Sequence, residues 1–427
     1  MTAAALLAVA LAAVPLGAAE FDYAALPDEP GRPRVLLAPR DSSQATLSVT
    51  FDVGSYDDGK YPGLTRLAQH VMLEANPRLP YEKLVTAVYR ANATLEIDTG
   101  QRECGFRLTA PRKEFEELAD QVTSLLFTSR IDDRGFAAAS ERTRLEQTEP
   151  DRPGSLFALL TSTIASDPRY VNDTYGDAGQ IDMLSAESVR AHVARWMVPG
   201  NATVVFAGGF SPSAATRILR RFRGGARHAP EPLVFDLPIE SSIGAASETH
   251  FVAFPFLLSR PRDPAALRVL AALLRTRLER QVRAAGVAYS AAVFPWHSRW
   301  ANLLVVRLSV ANGGEAVAAS ILNEEISAVR DGRVSAEELE QHRRLVLEQL
   351  RIADRTPADL ASILSAGAGT DWYGPAVTGA LASLTRDDFL ASVSGWLADS
   401  SRVHIHFSRS APARILVSPA ATTGRRR

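Results

Sequence analysis

The strongest constraint on how this chain can fold is an order of strands and helices that occurs twice. The first half reads as a short strand over 35–37, then an alternating strand over 45–53 that Gly54-Ser55 ends, then helices over 64–75 and 81–89. Paired strands follow over 94–98 and 103–109, and an amphipathic helix over 111–127 puts Phe115, Leu118, Val122 and Leu125 on one stripe. A helical zone over 134–149 is closed by Pro150 and Pro153, because the residue before a proline is pushed out of the helical region. A helix over 185–196 with Ser185 as N-cap, a strand over 202–207 and a helix over 211–222 complete the half.

The second half returns to the same order: a strand over 250–256, a helix over 264–282, strands over 288–294 and 301–310, and a helix over 315–330. Ser335-Ala336-Glu337-Glu338 reads as a capping box opening a further helix, a helix over 385–397 starts at Thr385, and a strand over 403–407 closes the half. Between the halves, 224–247 is rich in Gly, Pro, Ser and Ala and carries little periodicity. The expectation is an α+β fold of two homologous domains, each a mainly antiparallel sheet with helices packed on it, forming a clamshell around a central cavity. The segments are a leader over 1–19, an N-terminal domain over 20–223, a linker over 224–247, a C-terminal domain over 248–412 and a tail over 413–427.

One helix lacks what its pattern calls for. Gly63-Leu64-Thr65-Arg66-Leu67-Ala68-Gln69-His70-Val71-Met72 has the form of a metal-binding H-x-x-E-H helix, in which positions i, i+3 and i+4 share a face. Those positions hold Arg66, Gln69 and His70. Arginine keeps its proton and offers no lone pair, and glutamine cannot accept a proton from a bound water as a general base must. Only His70 retains the required chemistry. Of the other histidines (His192, His228, His250, His297, His342, His404 and His406), none sits in an H-E-x-x-H or H-x-x-E-H context. His404 and His406 share a strand face and read as two stacked surface side chains.

Composition narrows the classes of function. A formal net charge of -1 gives no bulk attraction to nucleic acid or to an anionic membrane. The single cysteine, Cys104, excludes an internal disulfide framework and reads as a buried, inert thiol. The opening run MTAAALLAVALAAVPLGAAE resembles a secretory signal cut after Ala19, although no Lys or Arg precedes it; an uncleaved anchor is the alternative. The expected location is periplasmic or secreted, with no stable membrane span once the signal is removed.

Together these words resemble the insulinase/pitrilysin family of zinc metallopeptidases, which includes processing-peptidase subunits. The resemblance rests on the strand ending at Gly54-Ser55, on Gly63-Leu64 and the helix ending at His70, and on Arg90-Ala91-Asn92-Ala93-Thr94 before a strand. It continues through Glu141-Arg142, the strand and glycine turn over 201–209, Gly286-Val287-Ala288-Tyr289-Ser290, and the helix start over 332–339.

The resemblance implies a zinc site of two histidines and a distant carboxylate. Laid on this chain, the first ligand becomes Arg66, the base becomes Gln69, and the third ligand falls at Thr148, two turns after Glu141, with Glu146 and Glu149 nearby. It also implies substrate-holding residues at Asn92, Ala93, Arg283 and Tyr289. The expected function is that of a degenerate member with no catalytic residue and no cofactor, its zinc lost. Such a chain would partner an active insulinase-like zinc peptidase and bind an extended peptide. The alternatives are an active zinc metalloendopeptidase using His70 with Glu146 or Glu149, and a structural scaffold subunit like the respiratory-complex core proteins that resemble this family.

Overall fold

The first sheet is built from β1 (Ala24–Ala25), β2 (Arg34–Pro39), β3 (Gln44–Phe51), β4 (Thr94–Thr99), β5 (Cys104–Pro111) and β6 (Ala202–Gly208), in the spatial order β1-β2-β6-β3-β5-β4. β2 and β6 run parallel and the other pairs antiparallel. β6 lies between β2 and β3 and is buried along its whole length, as a strand covered on both faces should be. β4 is the edge strand, with exposure alternating along it. The computed structural model describes residues 23–74, 79–128, 131–147, 169, 174–176, 178–228, 241–246, 251–258, 263–297, 302–311, 313–366, 375–398 and 403–408. The leader, Thr148, Glu149 and the tail over 413–427 lie outside them.

A second sheet holds β7 (Ser241–Ala246), β8 (Phe251–Leu258), β9 (Ala288–His297), β10 (Asn302–Val310) and β11 (Val403–Ser408), ordered β7-β11-β8-β10-β9. Reading β2 to β6 as β7 to β11 gives the same order, with the first and last strands again parallel and the third strand again at the edge. The duplication read from the chain is therefore a duplication of topology. β7 falls inside the segment read as a linker, whose low periodicity concealed a strand that pairs in parallel with β11. The side chains of His404 and His406, on β11, lie outside the described set.

The helices of the first half are α1 (Leu64–Glu74), α2 (Tyr81–Arg90), α3 (Arg112–Thr128), α4 (Asp133–Gln147), the short α5 (Ala178–Ile181), α6 (Ala186–Trp196) and α7 (Pro212–Leu219), and all but α5 fall close to the predicted places. Ser185 caps α6 as expected, its Oγ accepting the Ser188 N–H at 3.1 Å. In the second half come α8 (Pro264–Ala284), α9 (Glu315–Arg330), α10 (Ala336–Ala353), α11 (Pro357–Ala366), α12 (Pro375–Ser383) and α13 (Arg386–Ala398). Ser335 Oγ accepts the Glu338 N–H at 3.1 Å, but the expected capping box goes only halfway. The Glu338 carboxylate is taken by Arg277 on α8, at 2.7 and 2.6 Å, which ties α8 to α10.

The described residues form two compact units, and α11 decides their membership. The first unit contains the described residues before 229 and regains 351–366; the second contains 241–350 and 375–408. By position α11 lies in the second half. It packs instead on β3 and β6 of the first sheet, burying Pro357, Leu360, Ala361 and Leu364. Arg40 donates to Asp354 at 2.9 Å and Ser365 to Ser48 at 2.9 Å, and Arg107 donates to Ser362. Nothing local marks this: an amphipathic ten-residue helix suits either sheet.

Each edge strand is launched by the same device. Ala93 N–H bonds Val88 O at 2.9 Å and Asn92 N–H bonds Tyr89 O at 3.0 Å, closing α2 in a Schellman motif. Its left-handed residue is Asn92 at φ 51°, the one non-glycine with positive φ among the described residues, where asparagine is tolerated better than most. In the second half Gly286, at φ 67°, closes α8 the same way before β9, with Val287 N–H on Val282 O at 3.1 Å.

Candidate functional site

α1 is buried from Leu64 through Leu73, so its polar side chains must find partners inside the protein. Leu64, Leu67, Val71, Met72 and Leu73 supply the apolar contact, each contributing roughly 1.5–3 kcal/mol on full burial. The helix begins where Asp58 receives its free N–H groups: Oδ2 accepts from Gly63 N at 2.8 Å and Oδ1 from Thr65 N at 2.8 Å. Thr65 Oγ1 lies 2.5 Å from Asp58 Oδ1 and 3.0 Å from His192 Nε2. Burial pushes the Asp58 carboxyl up to about 7, against the pull of the Thr65 and Gly63 hydrogen bonds. Burial also lowers His192 to about 4, with Arg195 adding repulsion.

Further along the helix, Arg66 reaches the carboxylate of Glu146 on α4 with both arms. Nε donates to Oε2 at 2.7 Å and Nη2 to Oε1 at 2.8 Å. Nη1 bonds Ile97 O at 3.1 Å and Thr99 Oγ1 at 3.2 Å on β4, and the Tyr175 ring lies 5.3 Å from the guanidinium carbon. His70 Nε2 is 3.1 Å from the same Glu146 Oε2. His70 Nδ1 is buried without a hydrogen-bond partner, 3.6 Å from Glu74 Oε1, which in turn accepts Arg142 Nε at 2.6 Å. Burial alone would raise Glu146; hydrogen bonds from His70 and Arg66, and their charges, bring it down to about 2.

Gln69 is fully engaged elsewhere. Its Nε2 donates to Asp98 O at 3.0 Å and Gly105 O at 2.9 Å, and its Oε1 accepts from Thr99 Oγ1 at 2.5 Å. The side chain thus stitches α1 to the β4–β5 pair, where Asp98 faces Gly105. Since Arg66 holds Ile97 O and Gln69 holds Asp98 O, two successive carbonyls near the end of the edge strand are already occupied.

This geometry sorts the predicted residues. Arg66, Gln69 and His70 lie on one helix, α1. The carboxylate that reaches Arg66 and His70 is Glu146, weighed from the chain only as an alternative, while Gln69 turns to the β4–β5 pair; Thr148 lies outside the described residues. Glu141 is exposed and pairs with Arg144 of its own helix at 3.0 Å, away from His70. In the second unit Arg283 Nε donates to the backbone oxygen of Tyr289 at 3.2 Å while its Nη2 pairs with Glu279, and the Tyr289 side chain is 75% exposed. Cys104 is buried, and its thiol is raised well above its usual value by burial and then by Asp58, as an inert thiol should be.

The donor set does not fit catalytic zinc, which takes three protein ligands and leaves a fourth position open. His70 and Glu146 could offer two. The third place is held by a permanent cation whose N–H groups use both oxygens of Glu146. Among the described residues no group of three His, Cys, Asp or Glu side chains is gathered to hold a metal, and no helix is long and apolar enough to cross a membrane.

Residues 183–346 match the peptidase M16 inactive domain. No curated protein matches the chain. Among solved structures, the chain is similar to a peptidase M16 inactive domain from Pseudomonas fluorescens at TM-score 0.76 and 16% identity, covering 92% of this chain and 99% of that one. A protease from Helicobacter pylori gives TM-score 0.75 at 11% identity, over 91% of this chain and 100% of that one. A chain of complex III2 from Candida albicans gives 0.70 at 11% identity, over 90% and 96%. At these identities the solved structures speak for the fold.

Proposed function

From the premise that the chain is a degenerate member of the insulinase/pitrilysin (M16) peptidase family, we propose that it is a non-catalytic subunit that holds an extended peptide for an active zinc peptidase. One observation carries the reading: Arg66 occupies Glu146 with two hydrogen bonds, and Gln69 stands where a general base is needed. Neither residue can generate a nucleophilic water.

What remains suits binding. β4 is an edge strand whose carbonyls at Ile97 and Asp98 are held by α1 side chains, and an added peptide strand would pair with its N-terminal part, Thr94–Glu96, through its backbone. Exposed Tyr289, with Arg283 against its carbonyl, supplies a second contact point at the start of β9, the matching edge strand. In this reading the apolar leader exports the chain to the periplasm or beyond.

Affinity capture from native extract, followed by a peptide-cleavage assay on the purified chain and on the captured assembly, tests the reading. Expected are an inert isolated chain and a captured partner carrying an intact H-x-x-E-H helix. Cleavage by the isolated chain, abolished by a chelator, would favour the metalloendopeptidase reading. Capture within a membrane complex with no peptide affinity would favour a scaffold, the reading that the fold shared with a complex III2 chain supports.

A further inference from the structure

The imidazole of His70 and the carboxylate of Glu146 meet at 3.1 Å, and the guanidinium of Arg66, from the same chain, completes the contact. We propose that Arg66 is a tethered cation that supplies the countercharge and the cross-links a bound metal would otherwise provide, making this scaffold independent of metal. The inference rests on the non-catalytic reading above and deepens it.

Three observations combine. The Glu146 carboxylate is part-buried and needs a partner of opposite charge, and Arg66 meets it in the two-pronged geometry that suits a guanidinium. The same guanidinium extends to Ile97 O and Thr99 Oγ1, so one group joins α4, α1 and the edge strand β4. Finally, Arg66 and His70 stand four residues apart on a buried helix, the spacing at which two side chains serve one point. A metal in such a place would have to be captured from solution and could be chelated away. A guanidinium is a lasting cation, and one tethered to the backbone cannot leave.

The consequence is specific. Arg66→His removes the cation and leaves three donors, an imidazole at position 66, His70 and Glu146, which is a complete set for zinc. The full-length chain and this variant would be stripped with chelator and titrated with zinc alone, followed by bound-metal analysis and thermal melting. The expected result is no zinc uptake and no zinc-dependent change in Tm for the unaltered chain. The variant should take up about one zinc per chain, with a Tm that rises on zinc addition and falls back with chelator; folding only in the presence of zinc supports the proposal equally.

A variant that folds with an unchanged circular-dichroism spectrum and takes up no zinc overturns the proposal and leaves the non-catalytic reading intact. Stoichiometric zinc on the unaltered chain, with peptide cleavage, overturns both. Should the variant fail to fold under either condition, a cycle of Arg66→Met, Glu146→Gln and the double substitution decides. The proposal requires the double variant to melt well above the Arg66→Met single variant, and additive losses overturn it.

Discussion

Arg66 and Glu146 lie eighty positions apart in the chain, yet the guanidinium of one covers both carboxylate oxygens of the other at 2.7 and 2.8 Å. The pair joins α1 to α4, and through Ile97 and Thr99 it also joins the edge strand. Its energetics follow from what each partner would be without the other.

Arg66→Met keeps the bulk of the stem and deletes the charge, leaving Glu146 with only His70. Breaking a fully buried pair costs roughly 3–5 kcal/mol, and because the Glu146 side chain keeps 21% of its surface in solvent, about 2–4 kcal/mol is expected here. Urea unfolding of the full chain measures it. A loss below about 1 kcal/mol would reduce the pair to an ordinary surface contact.

Gln69→Glu restores the residue type of an active helix, yet it should damage this one. The ionised carboxylate would face Asp98 O and Gly105 O, where the amide now donates two hydrogen bonds. A destabilisation of about 2–3 kcal/mol at pH 7 is expected, partly relieved on acidification because the protonated acid regains one donor. Equal stability at pH 5 and pH 7 relative to the unaltered chain would contradict this account.

His192 and Asp58 should pull the acid response in opposite directions. His192 titrates near 4 in the fold and 6.5 when free, so the stability it favours is lost as pH falls from 6.5 to 4. Asp58 titrates near 7 in the fold and 3.8 when free, so its contribution is lost as pH rises from 3.8 to about 7. His192→Gln should leave a stability that declines more steeply with rising pH than in the unaltered chain, and Asp58→Asn one that declines more steeply with falling pH. Below about 4.5 the depressed Glu146 adds a further acid loss down to about 2, which Glu146→Gln should remove. Unfolding midpoints across pH read all three slopes.

Gly54 lets the loop before α1 pass against the β4–β5 hairpin. A methyl group there would sit 2.3 Å from the carbonyl carbon of Gln101 and 2.4 Å from its oxygen, both rigid backbone atoms. Gly54→Ala should shift that hairpin, and with it Thr99, at a cost of roughly 1–3 kcal/mol. Faster hydrogen exchange at 98–105 would register the shift, and an unchanged exchange pattern would argue against it.

Much of this was legible locally. The helix of His70, the cap at Ser185 and the paired strands β4 and β5 each follow from residues within a few positions of one another. The loss of the zinc chemistry was equally local, since arginine and glutamine lack it in any surroundings. β7 and α11 were not legible: one has weak periodicity, and the other is amphipathic in a way that suits either sheet.

By itself, the order of residues determined most of the element types, the duplicated α+β plan and the absence of a working H-x-x-E-H helix, because backbone periodicity and side-chain ionisation are properties of short segments. Only the tertiary structure decided that Glu146 rather than Glu141 meets His70, that Arg66 satisfies that carboxylate, and that α11 returns to the first sheet. Those pairings join residues dozens to hundreds of positions apart, and they are selected by which buried charge and which apolar face remain to be covered once the helices have packed.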